Sequence, residues 1–162
     1  MKNCKSVATP LIVNKKLSKE DGRKEVEAFC YRSLVGSLLY LTATRPDIMY
    51  ATSLLSQFMH SLSQIHFGVA KIMLRYIQGT LDYGIFYEKF LDAKLLGFCD
   101  SDWGGCVDDM KSTSGYAFSL RSSIISWSSK KQQTVAQSSA ETEYISASLA
   151  NYTSNLAKKN FG

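Results

Sequence analysis

Two carboxylates carry the chemistry most visible in this sequence. Asp100, within Cys99-Asp100-Ser101-Asp102-Trp103, ends an apolar run, Leu95-Leu96-Gly97-Phe98, that reads as a strand. Glu143, within Ser138-Ser139-Ala140-Glu141-Thr142-Glu143-Tyr144, opens an alanine-rich helical stretch. A strand-end Asp and a carboxylate on a later helix can converge on divalent metal ions that drive phosphodiester hydrolysis. No third metal-binding carboxylate follows before Gly162, so the expectation is a site begun and not finished.

Spacing decides which glutamate is available. Ser138 and Glu141 stand three residues apart, as in a capping box, where the serine caps the first turn and the glutamate reaches back to it. That occupies Glu141. Glu143 lies two positions on, about 200° round the helix. It falls beside Ala140, Ala147 and Ala150, a small-residue face suited to packing on a sheet. A carboxylate on that face is costly to bury alone. Bound metal would satisfy it, and so would a lysine or water. Asp102 reads as a loop or turn residue. Lys130 and Lys131, beside Trp127, read equally as salt-sensitive contacts to a nucleic-acid backbone or as a solvated hairpin end.

The other reactive side chains point to no second site. Cys4, Cys30, Cys99 and Cys106 form no Cys-x-x-Cys pair and have no histidine at zinc spacing, so free thiols are expected. His60 and His66 are isolated, near the ends of helical segments, and no metal role is expected for them.

Helices must carry the first half of the chain. Residues 1–25 are lysine-rich with only Leu11-Ile12-Val13 apolar, an extended lead-in. From Ala28 to Thr42, Tyr31, Val35, Leu38 and Leu39 have helical spacing. A second helix starts near Pro46, a residue favoured in the first turn, with Ile48, Ala51, Leu54 or Leu55, and Phe58 inward. A third runs from about Ser63 through Phe67, Ala70, Leu74 and Ile77, and Gly79 stops it. Tyr83 to Tyr87 reads as a strand. After a boundary near Phe90 to Lys94 the character changes. Leu95 to Phe98, Gly115 to Leu120 and Ile124 to Ser128 are short strand-like runs, the last two joined by a short turn.

The 162 residues, 45% of them apolar, suit globular structure, and the net charge of +5 permits an anionic partner without requiring one. The longest apolar stretch, around Leu34 to Leu41, is too short to span a membrane. The N-terminus lacks the apolar core of a secretory signal, so conventional secretion is not supported and an intracellular location is expected.

Four ordered blocks carry a family resemblance. They are Gly97 to Gly105, Lys111-Ser112-Thr113-Ser114-Gly115-Tyr116, Ile125 to Gln132, and Ser138 to Tyr144. Together they resemble the ribonuclease H domain of Ty1/copia-type retrotransposon Pol polyproteins. Tyr31 to Leu41, Thr44-Arg45-Pro46-Asp47-Ile48 and Leu74 to Thr80 are similar to the segment that joins reverse transcriptase to that domain.

The resemblance implies an α+β chain in three parts. Residues 1–92 are a helical connection segment, 93–150 a truncated ribonuclease H-like three-stranded antiparallel sheet with one packed helix, and 151–162 a divergent tail. It further implies that Asp100 and Glu143 descend from ligands of a two-magnesium site that cleaves RNA paired to DNA. The family's later Asp residues have no match. The expectation is therefore no enzyme activity, no resident cofactor and only weak residual magnesium binding. The candidate partners are a nucleic-acid backbone or, for an effector, a host protein, and no membrane span is expected.

The chain also resembles secreted RxLR effectors of an oomycete plant pathogen. That resemblance implies delivery into a host cell and suppression of host cell death by binding host factors. Arg32-Ser33-Leu34-Val35 keeps only the Arg-x-Leu part of the translocation motif and lies within a helical pattern.

Overall fold

The computed structural model describes residues 4–12, 16–21, 27–89 and 94–161, with side chains described through Asn155 in the final helix. The chain divides into two compact units, Met1–Gly84 and Ile85–Gly162. The boundary expected at residues 92 and 93 lies outside the described residues.

The first unit is built from α1 (Ala28–Leu41), a 3-10 turn (Pro46–Ile48) that runs into α2 (Met49–Ser56), and α3 (Gln64–Gln78). Tyr31, Val35 and Leu38, spaced by four and three residues, form the buried stripe of α1. Pro46 stands in the first position of the 3-10 turn, where its missing N–H costs nothing. Ile48, Ala51, Leu55 and Phe58 close the core against α1, so Leu55 and not Leu54 faces inward. The Tyr31 hydroxyl, buried with the rest, donates to the Leu55 carbonyl at 2.9 Å. Burying side chains of this size stabilises by about 1.5–3 kcal/mol each.

The third helix corrects the expected face. Phe67, Leu74 and Ile77 are only half-buried, while Val69, Ala70, Met73 and Tyr76 pack inside. The helix ends where expected, at Gln78, but for a different reason. Gly79 keeps ordinary right-handed angles. A Cβ there would come within 2.7 Å of the Ser6 Cβ, so close approach of the N-terminal segment requires the glycine.

In the second unit β1 (Leu95–Asp102), β2 (Thr113–Leu120) and β3 (Ser123–Lys131) form an antiparallel sheet in the order β1-β2-β3, followed by α4 (Ser139–Phe161). Leu120 pairs with Ser123 across Arg121 and Ser122, and Arg121 has φ of 57°, the left-handed geometry of a tight hairpin turn. The register shifts between Phe118 and Ser119.

Two sequence expectations change here. Tyr83 to Tyr87 is not a strand: it pairs with no strand among the described residues, and Tyr83, Phe86 and Tyr87 are exposed. The Tyr87 hydroxyl donates to the Ile124 carbonyl, and the Ser123 hydroxyl to that of Phe86. Asp102 closes β1 instead of lying in a loop. Residues 151–161, expected to diverge in sequence from the family pattern, lie within α4. The class is α+β, with helices first, then the sheet, then a last helix.

Candidate functional site

Sheet register fixes where Asp100 points. Paired residues of neighbouring strands project to the same face, and successive residues alternate. Ser114 pairs with Ser101 and accepts a hydrogen bond from the Ser146 hydroxyl of α4 at 2.7 Å, so that face carries the helix. Asp100 pairs with Gly115 and Asp102 with Thr113, which places both carboxylates on the opposite face. Both are exposed.

Glu143 is also exposed, and α4 meets the sheet through a neighbouring face. Thr142 and Ser146, four residues apart, are buried against Ser112, Ser114 and Gln132. Ala140 and Ala147 face outward, and Ala150 is half-buried. The small-residue face holding Glu143 is therefore not the one that packs. Short hydroxyl side chains win the interface because each meets a hydroxyl partner, Ser146 that of Ser114 on β2 and Thr142 that of Ser112 just before it. The cap behaves as expected for Ser138, whose hydroxyl accepts from the Glu141 N–H at 3.1 Å. The Glu141 carboxylate reaches one residue further back, to the Gln137 N–H at 2.7 Å.

Among the described residues, no group of three or more His, Cys, Asp or Glu side chains is placed to hold a metal ion. No helix among them is long and apolar enough to cross a membrane.

The two lysines have different surroundings. Lys130 is exposed. Lys131 is half-buried; its ammonium lies 2.8 Å from Asp109 and 2.9 Å from the Cys106 sulfur. Partial burial alone would raise the Asp109 carboxyl. Hydrogen bonds from Lys131, Cys106 and the Lys111 N–H outweigh it and hold the group at about 2. Lys131 is correspondingly raised, because the same Asp109 and Cys106 contacts exceed its own desolvation. The pairing of Asp109 with Lys131 was not legible from spacing, since the loop after β1 brings together residues from opposite ends of the sheet unit.

Arg32-Ser33-Leu34-Val35 lies in the middle of α1. Val35 is fully buried, and the Arg32 Nε donates to the Met59 carbonyl at 3.2 Å. A second constellation is formed by residues far apart in the sequence. Arg45 is buried and holds Asp47 through two hydrogen bonds, 2.8 and 2.7 Å, while also donating to the carbonyl and hydroxyl of Thr80. Its signal was the presence of charged and hydroxyl residues at the ends of otherwise apolar helical stretches.

No protein-family model matches the chain. No solved structure matches it either. Curated proteins do. Over 156 residues, 96% of this chain, it is 46% identical to the retrovirus-related Pol polyprotein from transposon RE2 of Arabidopsis thaliana, of which it spans 11%. It is 43% identical over 92% of its length to an uncharacterized mitochondrial protein of Arabidopsis thaliana, spanning 62% of that protein. It is 46% identical over 121 residues, 74% of this chain and 85% of the relative, to secreted RxLR effector protein 161 of Plasmopara viticola. The chain thus spans about a tenth of the transposon polyproteins it matches, yet nearly all of its own length aligns with them. Over nearly all of its length the chain is similar to one stretch of retrovirus-related Pol polyproteins from copia-type transposons.

Proposed function

We propose that this stretch is the part of a copia-type Pol protein that runs from the end of reverse transcriptase into a ribonuclease H-like unit, and that by itself it does not cleave nucleic acid. The alignment over 96% of the chain with a transposon Pol polyprotein supports the origin. The disposition of Asp100 and Glu143 supports the lack of cleavage. Asp100 lies on the sheet face away from α4, and Glu143 is exposed on the helix. These carboxylates do not fit a magnesium site of the kind the resemblance implies, because hard cations need several oxygen ligands held in fixed geometry. Weak water-filled coordination provides little of the charge stabilisation that phosphodiester cleavage requires. Lys130 is the more available of the two lysines for a phosphate contact. The proposed location is within the cell that bears the element.

Purified chain is expected to leave the RNA of an RNA–DNA hybrid intact in magnesium, and Asp100→Asn and Glu143→Gln are expected to change nothing. Robust cleavage abolished by either substitution would overturn this reading.

A second reading, a secreted effector that suppresses host cell death by binding host factors, is favoured by one observation. The chain covers 85% of a relative that carries the name of a secreted RxLR effector. The Arg32 to Val35 segment gives it no further support, since Val35 is sealed in the core. Expression in plant cells challenged with a cell-death elicitor separates the two readings. An effector protects the cells, and protection survives Asp100→Asn combined with Glu143→Gln. A folded, well-expressed chain that gives no protection excludes it.

A further inference from the structure

We propose that Cys106 and Lys131 form a peroxide-responsive covalent pair, in which the lysine amine captures the oxidised sulfur as a sulfur–nitrogen bond. The Lys131 ammonium donates to the Cys106 sulfur at 2.9 Å and lies 2.8 Å from the Asp109 carboxylate. The reacting atoms belong to residues 25 positions apart, brought together by the sheet unit.

Both sides of the pair are held by backbone. Lys131 is the last residue of β3 and pairs with Thr113, which pairs in turn with Asp102 at the end of β1. These side chains project to the sheet face away from α4. Cys106 sits in the loop that follows β1. Its N–H donates to the Lys111 carbonyl at 3.1 Å, and its carbonyl accepts from the Met110 N–H at 2.9 Å. The Gly104 N–H donates to the Ser112 hydroxyl at 3.1 Å, so the loop is tied to the start of β2. Asp109, in the same loop, keeps the lysine head beside it.

Neighbouring charge separates Cys106 from the other thiols. Cys4, Cys30 and Cys99 are more exposed, but the attacking form of a cysteine is its thiolate. The Cys30 sulfur is bonded to the Glu27 carboxylate at 3.4 Å, and that bond and charge push its thiol up. At Cys106 the neighbour is a cation, which balances the charge of a thiolate. Cys106 keeps partial exposure, enough for a molecule as small as hydrogen peroxide.

One hydroperoxide completes the reaction. The thiolate attacks a peroxide oxygen; a sulfur–oxygen bond forms, the oxygen–oxygen bond breaks and hydroxide leaves. Sulfur gives up two electrons, which reduce the peroxide. The Lys131 ammonium passes a proton to the hydroxide, leaving water and a neutral amine beside the sulfenic acid. The amine lone pair then attacks sulfur and expels the oxygen as hydroxide, which takes a proton from nitrogen and becomes a second water. Thiolate, ammonium and hydrogen peroxide thus become a sulfenamide and two waters. Sulfenic acids condense with nitrogen in this manner, and the flexible lysine stem closes the remaining distance. Partial burial disfavours charge on Lys131, and the Asp109 and Cys106 contacts outweigh it. Oxidation removes the thiolate, and with it one of the contacts that keep the amine protonated.

The full chain, treated with stoichiometric hydrogen peroxide and digested with trypsin, is read by mass spectrometry. Wild type is expected to lose two hydrogen atoms. The peptide ending at Lys111 should be joined to the peptide carrying Lys131, with fragmentation placing the bond at Cys106 and not Cys99. Excess small thiol should restore the original mass by attacking sulfur and releasing the amine. Lys131→Arg keeps a cation at the sulfur but offers a guanidinium that stays protonated. It should instead gain one oxygen at Cys106, trapped as a dimedone adduct. Wild type that only gains oxygen, or that loses two hydrogens through a disulfide of Cys106, overturns the proposal. An unchanged yield of the joined peptide in Lys131→Arg overturns it as well. Should Lys131→Arg fail to fold, the wild-type product alone decides between the nitrogen bond, the added oxygen and the disulfide.

Discussion

Arg45 takes a full charge into the first unit and is left with almost no solvent contact, its side chain 7% exposed. Its guanidinium is matched rather than merely neutralised. Two N–H groups grip the Asp47 carboxylate, others reach Thr80, and the Tyr76 hydroxyl donates to the same carboxylate at 2.8 Å. The rings of Tyr76 and Tyr83 flank the cation, with centroids 6.0 and 5.7 Å away. The hydrogen bonds from Arg45 hold Asp47 below the usual carboxylate range, against the opposing effect of burial. Asp47→Asn leaves the buried cation without its counter-ion and is expected to cost roughly 3–5 kcal/mol of stability, measured by urea unfolding. Because Asp47 is depressed in the folded state, its contribution is present above about pH 4 and fades as pH falls through the lowered value. Wild type should lose stability in that acid window, and Asp47→Asn should lose less. In the sequence Thr44 to Ile48 and Leu74 to Thr80 stand as separate blocks. The bond between Arg45 and Thr80 spans 35 positions, and no periodicity carries information across that distance.

At the scale of elements, helix positions were legible where apolar periodicity was strong. Tyr31, Val35 and Leu38 of α1 are the example, each repeating the stripe that marks a core-facing side. Legibility failed in α4, where the inward face is polar. Alanines at 140, 147 and 150 suggested one face, but Thr142 and Ser146 occupy the interface. Hydropathy cannot recognise a face whose fit comes from hydroxyl pairing. Ser146 donates to Ser114, which also accepts from the Gln132 amide at 2.8 Å, and Thr142 pairs with Ser112 at 3.2 Å. This assigned phase makes a measurable contrast. Ser146→Ala removes one buried donor and is expected to destabilise the second unit by about 1 kcal/mol. Glu143→Gln, on the exposed face, should stay within about 0.5 kcal/mol of wild type. Thermal unfolding of the two variants side by side checks the phase, and a larger loss at Glu143 would place the wrong face on the sheet. The same comparison bears on the candidate site. Asp100 was legible as a strand residue, but its facing direction follows from register with Gly115, which only the pairing of β1 with β2 determines.

The whole molecule has its aromatic reporters arranged so that the units can be followed apart. Trp103 and Trp127, the two tryptophans of the chain, both belong to the second unit, while the apolar core of Tyr31, Leu38, Leu55 and Met73 belongs to the first. Leu38 is 2% exposed within the apolar core, so Leu38→Asp puts a carboxylate among apolar side chains. The expected loss is about 4 kcal/mol or more, a large part of the roughly 5–15 kcal/mol that holds an ordinary small domain. Circular dichroism should show a helical contribution melting early, whereas tryptophan fluorescence should report the sheet unit unfolding at its wild-type midpoint. A shift of the tryptophan transition equal to the helical one would show that the chain unfolds as a single cooperative block. The outcome also decides how variants in the functional assays are interpreted. If the transitions separate, a loss of host-cell protection in Leu38→Asp assigns that activity to the helical unit, and retained protection assigns it to the sheet and α4. Cleavage, which would need Asp100 and Glu143, should be absent in either case.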